Sequence, residues 1–204
     1  MTSLLTLFDW RRTIAALYAD VRGATDPETA WAMWRAERDR LFAEHLQSPI
    51  PTAERAGFRG LPYFEYDAAL RVAARLEPAT GSSITLPASS GTFNGELFAS
   101  ARFDLGASEH TLGVFWLEGY GGGVFVPLLD TTSGTETYGG GRYLLDSVKG
   151  ADLGGQGDEL ILDFNFAYNP SCSYDPRWSC PLAPPSNRLD VPIRAGEKLL
   201  SKAE

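Results

Sequence analysis

Apolar residues along this chain recur with two different periods, and the change of period divides it. Ile14, Leu17, Tyr18 and Val21 fall at i, i+3, i+4 and i+7, the stripe of an amphipathic helix, and Gly23 is a natural stop. Asp26-Pro27 reads as the start of a second helix, with Asp as N-cap and Pro at the first helical position. Trp31, Trp34, Arg38, Leu41, Phe42 and His45 follow at helical spacing, Arg35 and Asp39 can pair at i,i+4, and Pro49 and Pro51 end the segment. The Trp31/Trp34 stripe is read as helix docking.

From Gly57 the chain breaks into short apolar runs separated by Gly, Pro, Ser and Asn, the texture of an antiparallel β protein. Predicted strands are Leu70–Glu77, Ser83–Pro87, Gly95–Leu105, Thr111–Glu118, Gly123–Leu129, Arg142–Asp146, Glu159–Ala167 and Arg188–Arg194. In Glu96–Leu105, Glu96, Ser100, Arg102 and Asp104 face one way, and Leu97, Ala99, Ala101, Phe103 and Leu105 the other. In Glu159–Ala167, Leu160, Leu162, Phe164 and Phe166 form a core face, which leaves Ile161, Asp163 and Asn165 on a face that is either solvated or the wall of a pocket. The expected fold is mainly β: an antiparallel barrel or sandwich of about eight strands with two N-terminal α-helices. Residues 1–50 would be a helical arm packed on a β domain of residues 51–204, the whole being one structural unit.

With 204 residues and 44% hydrophobic content the chain can bury a core without disulfide or metal. Its net charge of −8 and lack of a Lys/Arg run argue against nucleic acid and against anionic membrane surfaces. No basic leader precedes the first apolar residues and no run approaches a membrane span, so the expected compartment is the cytoplasm. Two cysteines, Cys172 and Cys180, are too few for a disulfide framework, and their spacing is not that of a zinc site. No zinc or other metal site is expected. The pair is read as structural thiols, close enough to form an oxidisable clasp. Thiol catalysis with His45 or His110 as base is a weaker reading, and no nucleophile elbow is present.

Two segments concentrate polar and aromatic residues in Gly- and Pro-broken sequence: Asp130 to Tyr143 and Asp163 to Pro181. Candidate ligand-binding residues are Asp130, Glu136, Tyr138, Arg142, Tyr143, Asp163, Asn165, Tyr168 and Asn169, with Glu136 and Asp163 as candidate acid/base carboxylates. Gly139-Gly140-Gly141 could open backbone donors into an anion nest, with Arg142 as a bidentate fork. The competing reading makes this a glycine-rich hairpin in which Asp130 caps a turn and Glu136 pairs with Arg142. The aromatic supply serves stacking on a ligand or core packing equally well.

Several strings together resemble domain-of-unknown-function family 1684: Trp34-Arg35-Ala36-Glu37-Arg38-Asp39, Phe58 to Phe64, Asp130 to Leu144, Leu162 to Cys172, Cys180-Pro181-Leu182 and Ala195-Gly196-Glu197-Lys198. Glu136-Thr-Tyr-Gly-Gly-Gly-Arg-Tyr143 is the most specific of them. The resemblance implies neither a reaction nor a cofactor. Three functions stay open: a small-molecule binding module with a polar, aromatic-lined pocket, an enzyme using that pocket on an anionic substrate, or a structural domain.

Overall fold

The computed structural model describes residues 3–119 and 122–200. Helix α1 (Ser3–Gly23) buries Ile14, Leu17, Tyr18 and Val21, and α2 (Pro27–Glu44) buries Ala30, Trp31, Trp34, Arg38, Leu41 and Phe42. Asp26 caps α2, its carboxylate accepting from the Thr29 N–H at 2.9 Å. The helix ends at Glu44, before the prolines, because His45 is already extended. Arg35 and Asp39 do not pair. The Arg35 guanidinium stacks on Trp31 and Tyr63, and Asp39 accepts instead from the Leu61 N–H.

The strands are β1 (Arg71–Pro87), β2 (Thr92–Leu105), β3 (Ser108–Leu117), β4 (Gly123–Leu128), β5 (Arg142–Asp146), β6 (Gly155–Gln156) and β7 (Glu159–Asp163). Among the described residues they form one antiparallel seven-stranded sheet in the order β5-β4-β3-β2-β1-β7-β6. The sheet is not closed, and the mainly-β class with two N-terminal helices stands, with seven strands among the described residues where about eight were expected. Leu70–Glu77 and Ser83–Pro87 are two halves of β1, joined across a register shift between Pro78 and Ser82. Arg188–Arg194 is not a strand; Arg188 makes only a single parallel bridge to Leu129.

The register shift in β1 has a counterpart in β2, between Leu97 and Ala99, where Phe98 is the extra residue. A bulge of this kind bends the strand and exchanges its faces. The alternation in β2 therefore does not mark one dry face. Phe93 and Leu97 pack toward the helices, whereas Phe98, Ala99, Ala101 and Phe103 pack into a second core on the other face. The helices cover the first core with Leu86, Phe115, Phe125 and Tyr143, while Leu189, Ile193 and Ala195 of the C-terminal segment cover the second.

The predicted Glu159–Ala167 strand stops at Asp163. The Asp163 carboxylate accepts from the Asn165 N–H at 3.0 Å and turns Phe164–Phe166 into a 3-10 turn. The turn breaks the period of two. Phe164 and Phe166 are both buried but in different cores, and Asn165 is buried as well, so they share no strand face. The chain leaving the turn crosses to the far edge of the sheet, where Tyr168 exchanges backbone hydrogen bonds with Tyr143 of β5 at 2.9 and 3.1 Å. No described helix is long and apolar enough to cross a membrane.

Candidate functional site

The residues singled out in the sequence separate into scaffold and cavity. Arg142 is buried, at 1% exposure, and its partner is Asp130 rather than Glu136: Nη2 donates to Asp130 Oδ2 at 2.9 Å and to the Ile193 carbonyl at 2.9 Å, and Nη1 donates to the Ala195 carbonyl. Asp130 Oδ1 in turn accepts from the Thr132 N–H at 2.7 Å. The fork thus holds the C-terminal segment against β5, with only its buried Nε left without a partner. Glu136 lies at the surface in a bidentate pair with Arg194 (2.9–3.1 Å), which holds its carboxyl below the usual range.

Two of the three glycines before Arg142 are required by space. A Cβ on Gly140 would stand 2.6 Å from the Tyr138 ring, and one on Gly141, at φ +87°, 2.6 Å from the Leu128 carbonyl oxygen. Tyr143 is sealed in the first core, its hydroxyl donating to the Pro181 carbonyl. Asn165 is consumed by Asp67 and Asp163. Of the predicted group, only Tyr168 and Asn169 line the aromatic cavity described next.

Four of the strings that carry the family resemblance meet at one buried node. Arg38 of α2 donates from Nε to the Tyr63 hydroxyl at 2.9 Å and from Nη2 to Glu197 Oε2 at 2.8 Å. Its guanidinium lies 4.8–5.0 Å from the ring centres of Trp34, Phe42 and Tyr168. Glu197 also accepts from the Asn169 N–H at 3.1 Å, from Asn169 Nδ2 at 3.2 Å and from the Tyr174 hydroxyl. Burial holds the Glu197 carboxyl above the usual carboxylate range, and Arg38 with these hydrogen bonds opposes the shift only in part. Four donors on one carboxylate are what its ionised form needs. Neither Arg38 nor Glu197 stood out in the sequence as a site residue. The signal was there: an Arg inside the apolar stripe of a helix must find a buried partner.

Above the node lies a cavity of about 60 Å³, lined by Trp10, Tyr18, Arg38, Phe42, Lys149, Tyr168 and Asn169 among others. Two groups here lack partners. Arg38 Nη1 makes no hydrogen bond to the described residues. Asn169 Oδ1 is buried and unpaired, and its orientation is set by Nδ2, which donates to Glu197 Oε1 and to the Lys198 carbonyl. Lys149 stands at the rim, 3.3 Å from Asp146 and 5.2 Å from the Tyr143 ring centre.

Asp163 lines a second cavity of about 70 Å³ with Arg22 and Arg71. Its Oδ2 has no hydrogen-bond partner, Arg71 Nε lying 3.6 Å away. Burial pushes its carboxyl up to about 6, against the pull of Asn165 and Arg71. Cys172 and Cys180 are both free and buried. Among the described residues no three His, Cys, Asp or Glu side chains gather as a metal site would require.

The known proteins that this chain resembles carry no assigned activity. No curated protein matches the chain. A solution NMR structure of an uncharacterized protein from gene locus rrnAC0354 of Haloarcula marismortui is similar at 39% identity, covering 84% of this chain and 93% of its own, with a TM-score of 0.60. The family described as "Protein of unknown function (DUF1684)" matches residues 56–198, and the chain belongs to that family.

Proposed function

We propose that the protein is a small-molecule binding module whose ligand is a small organic anion, such as a short carboxylate, seated on Arg38. The observation that carries this reading is the unused Nη1 of a buried, permanently charged guanidinium lining a cavity. Asn169 Oδ1 offers an acceptor beside it, Lys149 adds a second cation at the rim, and Trp10 and Phe42 supply apolar walls. A space of about 60 Å³ holds about four waters or a group of a few non-hydrogen atoms, which limits what enters. The anion's remaining atoms would extend past Lys149 into solvent.

The test is thermal denaturation with a panel of short carboxylates and their neutral amide isosteres. A ligand at 100 times its Kd stabilises by about 2.7 kcal/mol, which for a domain of this size raises Tm by about 5–10 °C. The carboxylates should do this and the amides should not. Lys149→Ala and Trp10→Ala should weaken the response, each measured against that variant's own unliganded Tm. Equal shifts with acids and amides, or no shift with any acid, would remove the reading.

A second reading, acid–base catalysis by Asp163, is favoured by its unpaired Oδ2 in the other cavity and by a carboxyl raised to about 6. Titration by carboxyl ¹³C NMR tests it, since a value near that of an ordinary aspartate would sink it.

A further inference from the structure

Arg71 and Asp163 stand directly opposite each other where β1 pairs with β7. Cross-strand neighbours of opposite charge normally close on one another, but the turn after Asp163 competes for its carboxylate. Oδ1 accepts from the Asn165 N–H at 3.0 Å and from Asn165 Nδ2 at 2.8 Å. Oδ2 is left 3.6 Å from Arg71 Nε, too far for a hydrogen bond, and has no partner among the described residues. Asp163 is 2% exposed, so its carboxylate is withdrawn from bulk water with one oxygen unused. Arg22, in the last turn of α1, lines the same cavity. Its Nη1 donates to the Asp152 carbonyl at 2.6 Å, and its stem lies against Gly154, where a Cβ would stand 3.2 Å from Cδ. Arg22 Nε and Nη2 make no hydrogen bond to the described residues, and neither does the Arg71 guanidinium.

We infer that this cavity is a second binding site, separate from the one on Arg38, and that it takes the zwitterion of a small α-amino acid, with the ammonium on Asp163 Oδ2 and the carboxylate on Arg71 and Arg22. Charge complementarity selects the class. A simple ammonium would satisfy Asp163 but would also face two guanidiniums. A simple carboxylate would satisfy the guanidiniums but would also face the buried Asp163 carboxylate. A molecule carrying both charges on neighbouring atoms answers both, and each of its charges meets an opposite one. A 2-hydroxy acid has the same layout but offers Oδ2 a single hydrogen and no charge, whereas hydrogen bonds between ionised partners are the strong ones. The guanidinium is suited to the carboxylate end because its planar fork matches two oxygens at once.

The space sets the size. A cavity of about 70 Å³ holds about five waters, or a group of about five non-hydrogen atoms, which is the size of glycine. Val21, Ala30, Leu153, Ile161 and Phe166 give it apolar walls, so the α-carbon of the ligand loses no hydrogen bond on entering. The site rests neither on an anion at Arg38 nor on acid–base chemistry by Asp163, and it stands or falls by itself.

The experiment titrates the ¹⁵N-labelled protein with glycine at neutral pH and follows the backbone amides by NMR. Glycine should give saturable shifts, with a Kd in the millimolar range or tighter, at Ala24, Leu153, Ile161 and Asp163 and not at Trp10 or Lys149 of the other cavity. Acetate, methylamine and glycolate, each lacking one of the two charges, should bind at these amides on the order of tenfold more weakly or not at all. Asp163→Asn can keep both bonds from Asn165 on its remaining oxygen while a donor replaces Oδ2, so it should lose the glycine response with the turn intact. Arg71→Gln changes a side chain that is 40% exposed and should weaken glycine on the order of tenfold. The inference is overturned if glycine gives no saturable shift, if its shifts fall at the Arg38 cavity, if any of the three half-ligands binds as tightly, or if either variant binds glycine as wild type does.

Discussion

Replacing Arg142 with Met tests whether the glycine-rich string is scaffold. The guanidinium is sealed and donates to Asp130 and to the Ile193 and Ala195 carbonyls, and burial lowers its pKa while Asp130 opposes the shift. Met fills much of the volume but leaves the Asp130 carboxylate, 0% exposed, with only the Thr132 N–H at 2.7 Å and the Ile193 N–H at 3.4 Å. A charge stranded in this way costs roughly 3–5 kcal/mol, and in a domain of this size that lowers Tm by about 6–20 °C. The total stability of such a domain is only about 5–15 kcal/mol, so the variant should be marginal. Arg142→Lys keeps the charge but cannot reach the carboxylate and both carbonyls at once, and should lose about 1–3 kcal/mol. Asp130→Leu combined with Arg142→Met strands no charge and should melt above Arg142→Met alone. Urea unfolding of wild type, Asp130→Leu, Arg142→Met and the double variant closes the double-mutant cycle. An Arg142→Met protein melting within about 2 °C of wild type would refute the reasoning, because a buried carboxylate cannot lose its counter-charge so cheaply.

Other predictions follow from the same physics. Because burial raises Asp163 from 3.8 to about 6, the folded state binds a proton that the unfolded state releases between those values. Its contribution to stability is therefore full below about pH 4 and lost as pH rises through about 6, a change on the order of 2–3 kcal/mol; Asp163→Asn should flatten that limb of the Tm–pH curve and melt no lower than wild type at pH 8. Glu136→Ala breaks an exposed pair with Arg194 and should leave Tm unchanged, and a clear drop would mean that the pair is structural. Tyr174→Phe removes one donor from buried Glu197 and should cost about 1–3 kcal/mol by urea denaturation, with wild-type stability counting against the node.

Much of the site's logic could not be reached by pattern. Asp130, Arg142 and Tyr143 stand in a string whose polar residues are dense enough to bind a ligand and equally dense enough to tie down a C-terminal segment. Which of the two occurs depends on whether Ile193 and Ala195 arrive to accept the donors. Arg38 and Glu197 were passed over for the complementary reason. Their separation of 159 residues leaves no local trace, and only the fold makes one the partner of the other.

By itself the sequence determined the two helices, the capping of α2 by Asp26, and most of the strands, since these follow from near-neighbour periodicity and cap chemistry. It also determined that Trp31 and Trp34 would be buried. Tertiary structure alone decided that the sheet stays open and carries two cores, because the Phe98 bulge exchanges the faces of β2 where the residue pattern still reads as one alternation. It also decided the turn at Asp163 and the partner of Arg142. Each of these depends on a backbone or side-chain group brought from elsewhere, and a periodicity measured along one segment has no access to that distance.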